Sequence, residues 1–170
     1  MVMPLVDLLP IIELAPKSIV IIIGLVFVVI TFFTIFNTQN STKDVELTNG
    51  GDLTIMKSDI TNKIKIYPYQ SNDIYMEVMA VSASDGTIRT ALNTCINCYN
   101  SGRGYYTQQG DMLICQSCGN QFEVDQIEII EGGCNPVPIA KDIKTEDKEK
   151  IIIHEDSLVE YEPLFEEWKK

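Results

Sequence analysis

The chain has 170 residues, a net charge of −11 and 45% hydrophobic residues. So acidic a chain disfavours non-specific nucleic-acid binding. It has no ATP-binding glycine loop and no Ser/His/Asp set, and its one histidine is His154. A hydrolase or kinase is therefore not expected.

Hydrophobicity is concentrated at the start. Residues 1–17 form an apolar lead with two acids, suited to the membrane interface or a membrane partner. Residues 18–36 carry no charge. As a helix they would span about 28 Å, close to the hydrocarbon thickness of a bilayer. The apolar run is long and no small-residue cleavage site follows it, so a retained single-pass anchor is expected rather than a signal peptide. Lys17 on one side and the more distant Lys43 on the other bias the amino terminus to the cytoplasm, with the bulk of the chain outside. Residues 37–52 are polar, end near a Gly-Gly and read as a spacer.

Residues 53–170 make up the expected extracytoplasmic, cysteine-rich metal-binding domain. Residues 53–56 suggest a short strand, and Ser58-Asp59 offers a cap to a helical turn over 60–64. Residues 65–69 read as a strand until Pro68. The order strand, acidic cap, short helix and aromatic recurs over 151–165, so the two flanks are expected to pair around the cysteine region. Residues 74–81 and 87–92 form a hairpin around Asp85-Gly86. A second hairpin runs through Tyr105-Tyr106-Thr107, turns at Gln109-Gly110-Asp111 and returns through 112–114. Each hairpin delivers a C-x-x-C pair at its end. Residues 121–130 are a further strand candidate, and 141–150 read as a solvated charged loop. Trp168 is expected to dock the last helix, and His154 to be solvated or capping.

The chemistry is in the sulfurs. Cys95 and Cys98 form one pair, Cys115 and Cys118 the other, and Cys134 follows in Gly-Gly-Cys-Asn-Pro. Two C-x-x-C pairs at this separation have the spacing of a tetrathiolate metal site. Thiolates suit zinc, Fe–S clusters and Cu(I) alike. Crossed disulfides are the competing arrangement. Four thiolates complete a tetrahedron, so either Cys134 is a spare ligand, a redox partner, a metal-capturing thiol or a buried free cysteine, or one of the first four is not a ligand. The tandem pairs and the lack of a βαβ pattern argue against a thiol–disulfide oxidoreductase. The fold class that follows is α+β. A single N-terminal transmembrane helix precedes a small β-rich domain with a zinc-ribbon or rubredoxin-like cysteine hairpin core.

The run 85–138 resembles the FtrD-like membrane iron–sulfur protein family. The matching residues are Asp85-Gly86-Thr87-Ile88-Arg89, the Cys95/Cys98 pair, Gly104-Tyr105, Gln109-Gly110-Asp111, Cys115-Gln116-Ser117-Cys118-Gly119, Phe122 and Gly132-Gly133-Cys134-Asn135-Pro136. The resemblance implies Cys95, Cys98, Cys115, Cys118 and Cys134 as candidate ligands of iron or an Fe–S cluster. It further implies electron transfer or metal handling beside a membrane iron-transport system, with an iron permease or ABC-type permease subunits as partners. Zinc or copper is the alternative metal.

Overall fold

The structure, a computed structural model, describes residues 45–170. The lead at 1–17 and the anchor at 18–36 lie outside the described residues. Among the described residues no helix is long and apolar enough to cross a membrane.

Five strands form the main sheet, in the order β1 (Thr48–Asn49), β3 (Lys65–Ser71), β4 (Ile74–Ser82), β5 (Ile88–Cys95) and β9 (Pro136–Pro138). The β4–β5 hairpin turns at Gly86, whose φ of +80° favours glycine. Strand β1 pairs in parallel with β3, so the sheet reaches back into the polar stretch before Leu53. A second sheet joins β10 (Lys144–Glu146), β11 (Lys150–Ile153) and β2 (Leu53–Met56). Ile55 pairs with Ile151 and Leu53 with Ile153, so the two flanks meet as expected. A third sheet joins β6 (Tyr106–Gln109), β7 (Met112–Cys115) and β8 (Gln121–Glu123).

Strand β4 shows why the molecule is layered. It reads IYMEVMAVS, and residues 76–81 are all buried. Side chains alternate faces along a strand. Met76, Val78 and Ala80 therefore join one core, with Leu92, Ile55, Ile151, Leu158 and Trp168. Met79 and Val81 join another, with Ala91, Cys95, Tyr106, Leu113, Cys115 and Phe122. Each fully buried aliphatic side chain contributes about 1.5–3 kcal/mol. The main sheet is thus a shared wall, with the flanking sheet on one face and the cysteine-bearing sheet on the other. The same alternation puts Cys95 on the face of Ala91.

Four expectations need correction. The run 121–130 is strand only at β8; a 3-10 turn follows at Val124–Gln126, and Glu128 has a φ of +64°. Segment 60–64 is not helical; only Lys57–Asp59 makes a 3-10 turn. Strand β3 continues through Pro68, which pairs in register with Glu77. This is tolerated because β1 covers only Tyr69 and Gln70, leaving Pro68 on an edge where a missing N–H is harmless. Finally, 141–150 is not simply solvated. It contains β10, and the Lys144 side chain is only 4% exposed.

The C-terminus closes the first core. Helix α1 (Glu155–Val159) receives Asp52 Oδ1, which accepts the Glu155 amide proton at 3.0 Å. That hydrogen bond, with His154 beside it, holds the Asp52 carboxyl below its ordinary value. Trp168 is buried, with Phe165 edge-on at 5.0 Å and Tyr105 edge-on at 6.0 Å.

Candidate metal centre

Both C-x-x-C pairs begin on the last residue of a strand. Cys95 ends β5 and Cys115 ends β7. After each strand the chain turns back on itself. The Cys98 amide donates to Cys95 O at 3.0 Å, and the Gly119 amide donates to Cys115 O at 2.9 Å. Gly119 allows the second turn through its φ of +75°. Gly104 allows the first by a different route. A Cβ there would lie 2.5 Å from Cys98 O and 2.6 Å from Tyr99 Cα, so the returning chain can approach the first turn only without a side chain. Its carbonyl accepts the Cys95 amide at 2.9 Å. Gly104→Ala must displace backbone rather than a flexible side chain. It is expected to cost about 1–3 kcal/mol by overpacking and to weaken metal binding about 10–100-fold. Thermal unfolding and a competitive chelator titration check both figures.

Sheet register explains the fifth cysteine. Strand β9 pairs antiparallel with β5, setting Leu92 opposite Val137 and Cys95 opposite Pro136, with an irregularity between. Cys134 lies two residues before Pro136 and is carried to the sulfur of Cys95. Asn120 then ties it to the second turn, donating from Nδ2 to Cys134 O at 3.0 Å.

The Sγ atoms of Cys95, Cys98, Cys115 and Cys134 all lie within 4.8 Å of one another. Cys134 Sγ is 3.2 Å from Cys95 Sγ and 3.9 Å from Cys98 Sγ. Cys118 Sγ is 2.8 Å from Cys134 Sγ, but Cys118 is exposed and falls outside the compact set of four. Cys95 and Cys115 are buried, Cys98 and Cys134 half-buried, and none of the five is in a disulfide. The crossed-disulfide arrangement is therefore not the one adopted.

A tetrahedral ion with metal–sulfur bonds near 2.3 Å holds its sulfurs about 3.8 Å apart. The four thiols bracket that separation, so the donor set fits a thiolate-bound metal with shifts of under about 1 Å.

Electrostatics divide the thiols. Burial and then the hydrogen bond to Cys95 push the Cys98 thiol up to about 12. Burial likewise drives Cys134 well above its ordinary value, reinforced by Cys118 and Cys95. Burial also acts on Cys95, but hydrogen bonds from Tyr106, Cys134 and the Asn97 amide outweigh it and leave that thiol lowered. The hydrogen bond from Cys134 and then the Asn120 amide hold exposed Cys118 down to about 7. So crowded a set of thiols resists full ionisation, and a bound cation removes that resistance by deprotonating its ligands.

Around the sulfurs, Tyr106 and Tyr105 divide their roles. The Tyr106 hydroxyl is 4.0 Å from Cys134 Sγ, whereas Tyr105 packs on Trp168. Sequence reasoning missed Asn93 and Asn120. Asn93 Oδ1 accepts the Tyr106 amide proton at 2.9 Å, and its Nδ2 donates to Glu77 at 2.7 Å, locking β6 to β5. The only signal for Asn93 was a polar residue two places before a ligand candidate.

A family model described as membrane iron–sulfur containing protein FtrD-like matches residues 60–165. No curated protein and no solved structure matches the chain.

Proposed function

The chain belongs to the FtrD-like family of membrane iron–sulfur containing proteins, and from that premise we propose that it is a membrane-anchored thiolate iron protein. It passes electrons or metal as an accessory subunit of a membrane iron-transport system. Cys95, Cys98, Cys115 and Cys134 hold the metal in this reading.

One observation supports it most. The sulfur set sits at the edge of its core, with Cys98 and Cys134 half-buried. Electron or metal exchange needs such access, and solvent exposure at the sulfurs is one of the features that set the potential of thiolate-bound iron. Iron in thiolate surroundings supplies one-electron chemistry, at a potential set by hydrogen bonds to sulfur and by solvent exposure. The chain's own part is to hold the sulfurs and shield their inner side. Tyr106, Leu113 and Phe122 do the shielding, each buried in the same core. Residues 18–36 anchor the domain at the outer face of the cell membrane, and residues 1–40 meet an ABC-type permease. The acidic surface is unsuited to nucleic acid.

Full-length protein purified anaerobically in detergent is expected to absorb visible light, bleach with dithionite and recover with ferricyanide. Deleting residues 1–40 is expected to abolish co-purification of the permease. Colourless protein that neither bleaches nor recovers would refute the redox role. The second reading is a transporter-assembly subunit with a structural zinc ribbon; full burial of Cys95 and Cys115 in the core favours it.

A further inference from the structure

Five thiols meet where four suffice, and the extra one is placed for a different task. We propose that Cys118 is a thiol-exchange site for small disulfides, and that its disulfide with Cys134 closes the empty metal centre to loading. This rests on the thiolate-metal reading above.

Access selects Cys118. It is exposed, while Cys95 and Cys115 are buried and Cys98 and Cys134 are half-buried. A bulky disulfide such as oxidised glutathione therefore meets Cys118 first. Proximity selects Cys134. Its Sγ lies 2.8 Å from Cys118 Sγ, nearer than its 3.2 Å from Cys95 or 3.9 Å from Cys98. A covalent bond needs about 2.05 Å. The turns can supply the difference. Gly119 follows Cys118, and Gly132-Gly133 precede Cys134. Beyond the adjoining residues, nothing lies within 4 Å of where a Cβ would stand on any of the three.

The chemistry balances without a further reactant. The Cys118 thiolate attacks one sulfur of oxidised glutathione and releases one glutathione thiolate. Cys134 then attacks the Cys118 sulfur of the mixed disulfide, giving up its proton as it does so, and releases the second. The two protons of the cysteines end on the two glutathione thiols. Cys118 and Cys134 are oxidised by two electrons together, and one glutathione disulfide is reduced. The consequence follows from geometry, because Cys134 belongs to the compact set of four and Cys118 does not. The bond removes a ligand, and a dithiol restores it. Such a bond is at home in the oxidising compartment proposed for this domain.

Full-length protein in detergent, stripped of metal under reducing conditions, tests this. Oxidised glutathione should give a Cys118–Cys134 linked peptide on non-reducing mass mapping. Uptake of ferrous iron should fall at least about tenfold and return with dithiothreitol, since a lost ligand costs no less than a lost outer partner. Cys118→Ser should still take up iron, and oxidised glutathione should no longer block it. A glutathione adduct that stays on Cys118, linkage of Cys134 to a different cysteine, or an equal block in C118S would each overturn the proposal. Untreated protein that binds no iron would instead sink the metal reading, and the peptide map would still decide the disulfide.

Discussion

Cys95→Ser should lose its metal and much of its stability together. Cys95 is fully buried, and its sulfur sits 3.2 Å from Cys134 Sγ. It ends β5, belongs to the same buried core as Leu113, Cys115 and Phe122, and carries one of the four clustered thiols. The substitution keeps the shape but removes the soft donor and puts a hydroxyl among apolar neighbours. Loss of an outer partner alone costs a metal site about 10–100-fold in affinity, so loss of a donor should cost more than about 100-fold. Because metal binding free energy is also folding free energy, the variant should unfold as the metal-free wild type does. Elemental analysis and thermal unfolding, with and without chelator, check this. The wild-type melting temperature should fall on chelation, and that of C95S should not respond.

Lys144→Met should destabilise the fold by about 3–5 kcal/mol, a large share of the 5–15 kcal/mol typical of a domain. Lys144 Nζ donates to Glu128 Oε1 at 2.5 Å and to Thr90 Oγ1 at 2.8 Å. Glu128 Oε1 also accepts the Thr90 amide and hydroxyl at 2.6 and 2.8 Å. The two charged side chains are 4% and 8% exposed. Removing the ammonium leaves a buried carboxylate without its counterion, which costs more than the pair contributes. The double variant Lys144→Met/Glu128→Gln removes both charges and should recover more than half of the loss. Glu128 also fixes the segment leading to Gly132, Gly133 and Cys134, so K144M should weaken metal binding as well. Denaturant unfolding of the single and double variants decides it; equal losses in both would show that the charges are not coupled.

Much of the site was legible because its signals are local. Asp85-Gly86 and Gln109-Gly110-Asp111 mark hairpin turns, and the C-x-x-C pairs follow the returning strands at once. Two chain segments therefore had to end in sulfur, and hairpin geometry brought them together. The place of Cys134 depends on β9 pairing with β5, a contact across about forty residues that no local pattern encodes. Only the Gly-Gly before it and the proline after it hinted at a fixed position. Gly104 was visible as a glycine, but its reason is the path of the 98–104 loop, which folds back so that a Cβ there would stand 2.5 Å from Cys98 O. Lys144 was hidden for the opposite cause. It sits in KDIKTEDKEK, where composition argues for solvent, and is buried because β10 pairs with β11 and Glu128 lies across from it. Pro68 misled because a proline normally ends a strand, yet on an uncovered edge it does not.

In the proposed function four of the five sulfurs hold iron. Metal content with electron paramagnetic resonance decides this, on full-length protein purified anaerobically without added metal, beside its C95S, C134S and C118S variants. Stoichiometric iron in the wild type and C118S, with little in C95S and C134S, is the expected result. Zinc or no metal in the wild type, or iron retained in C95S, would contradict it.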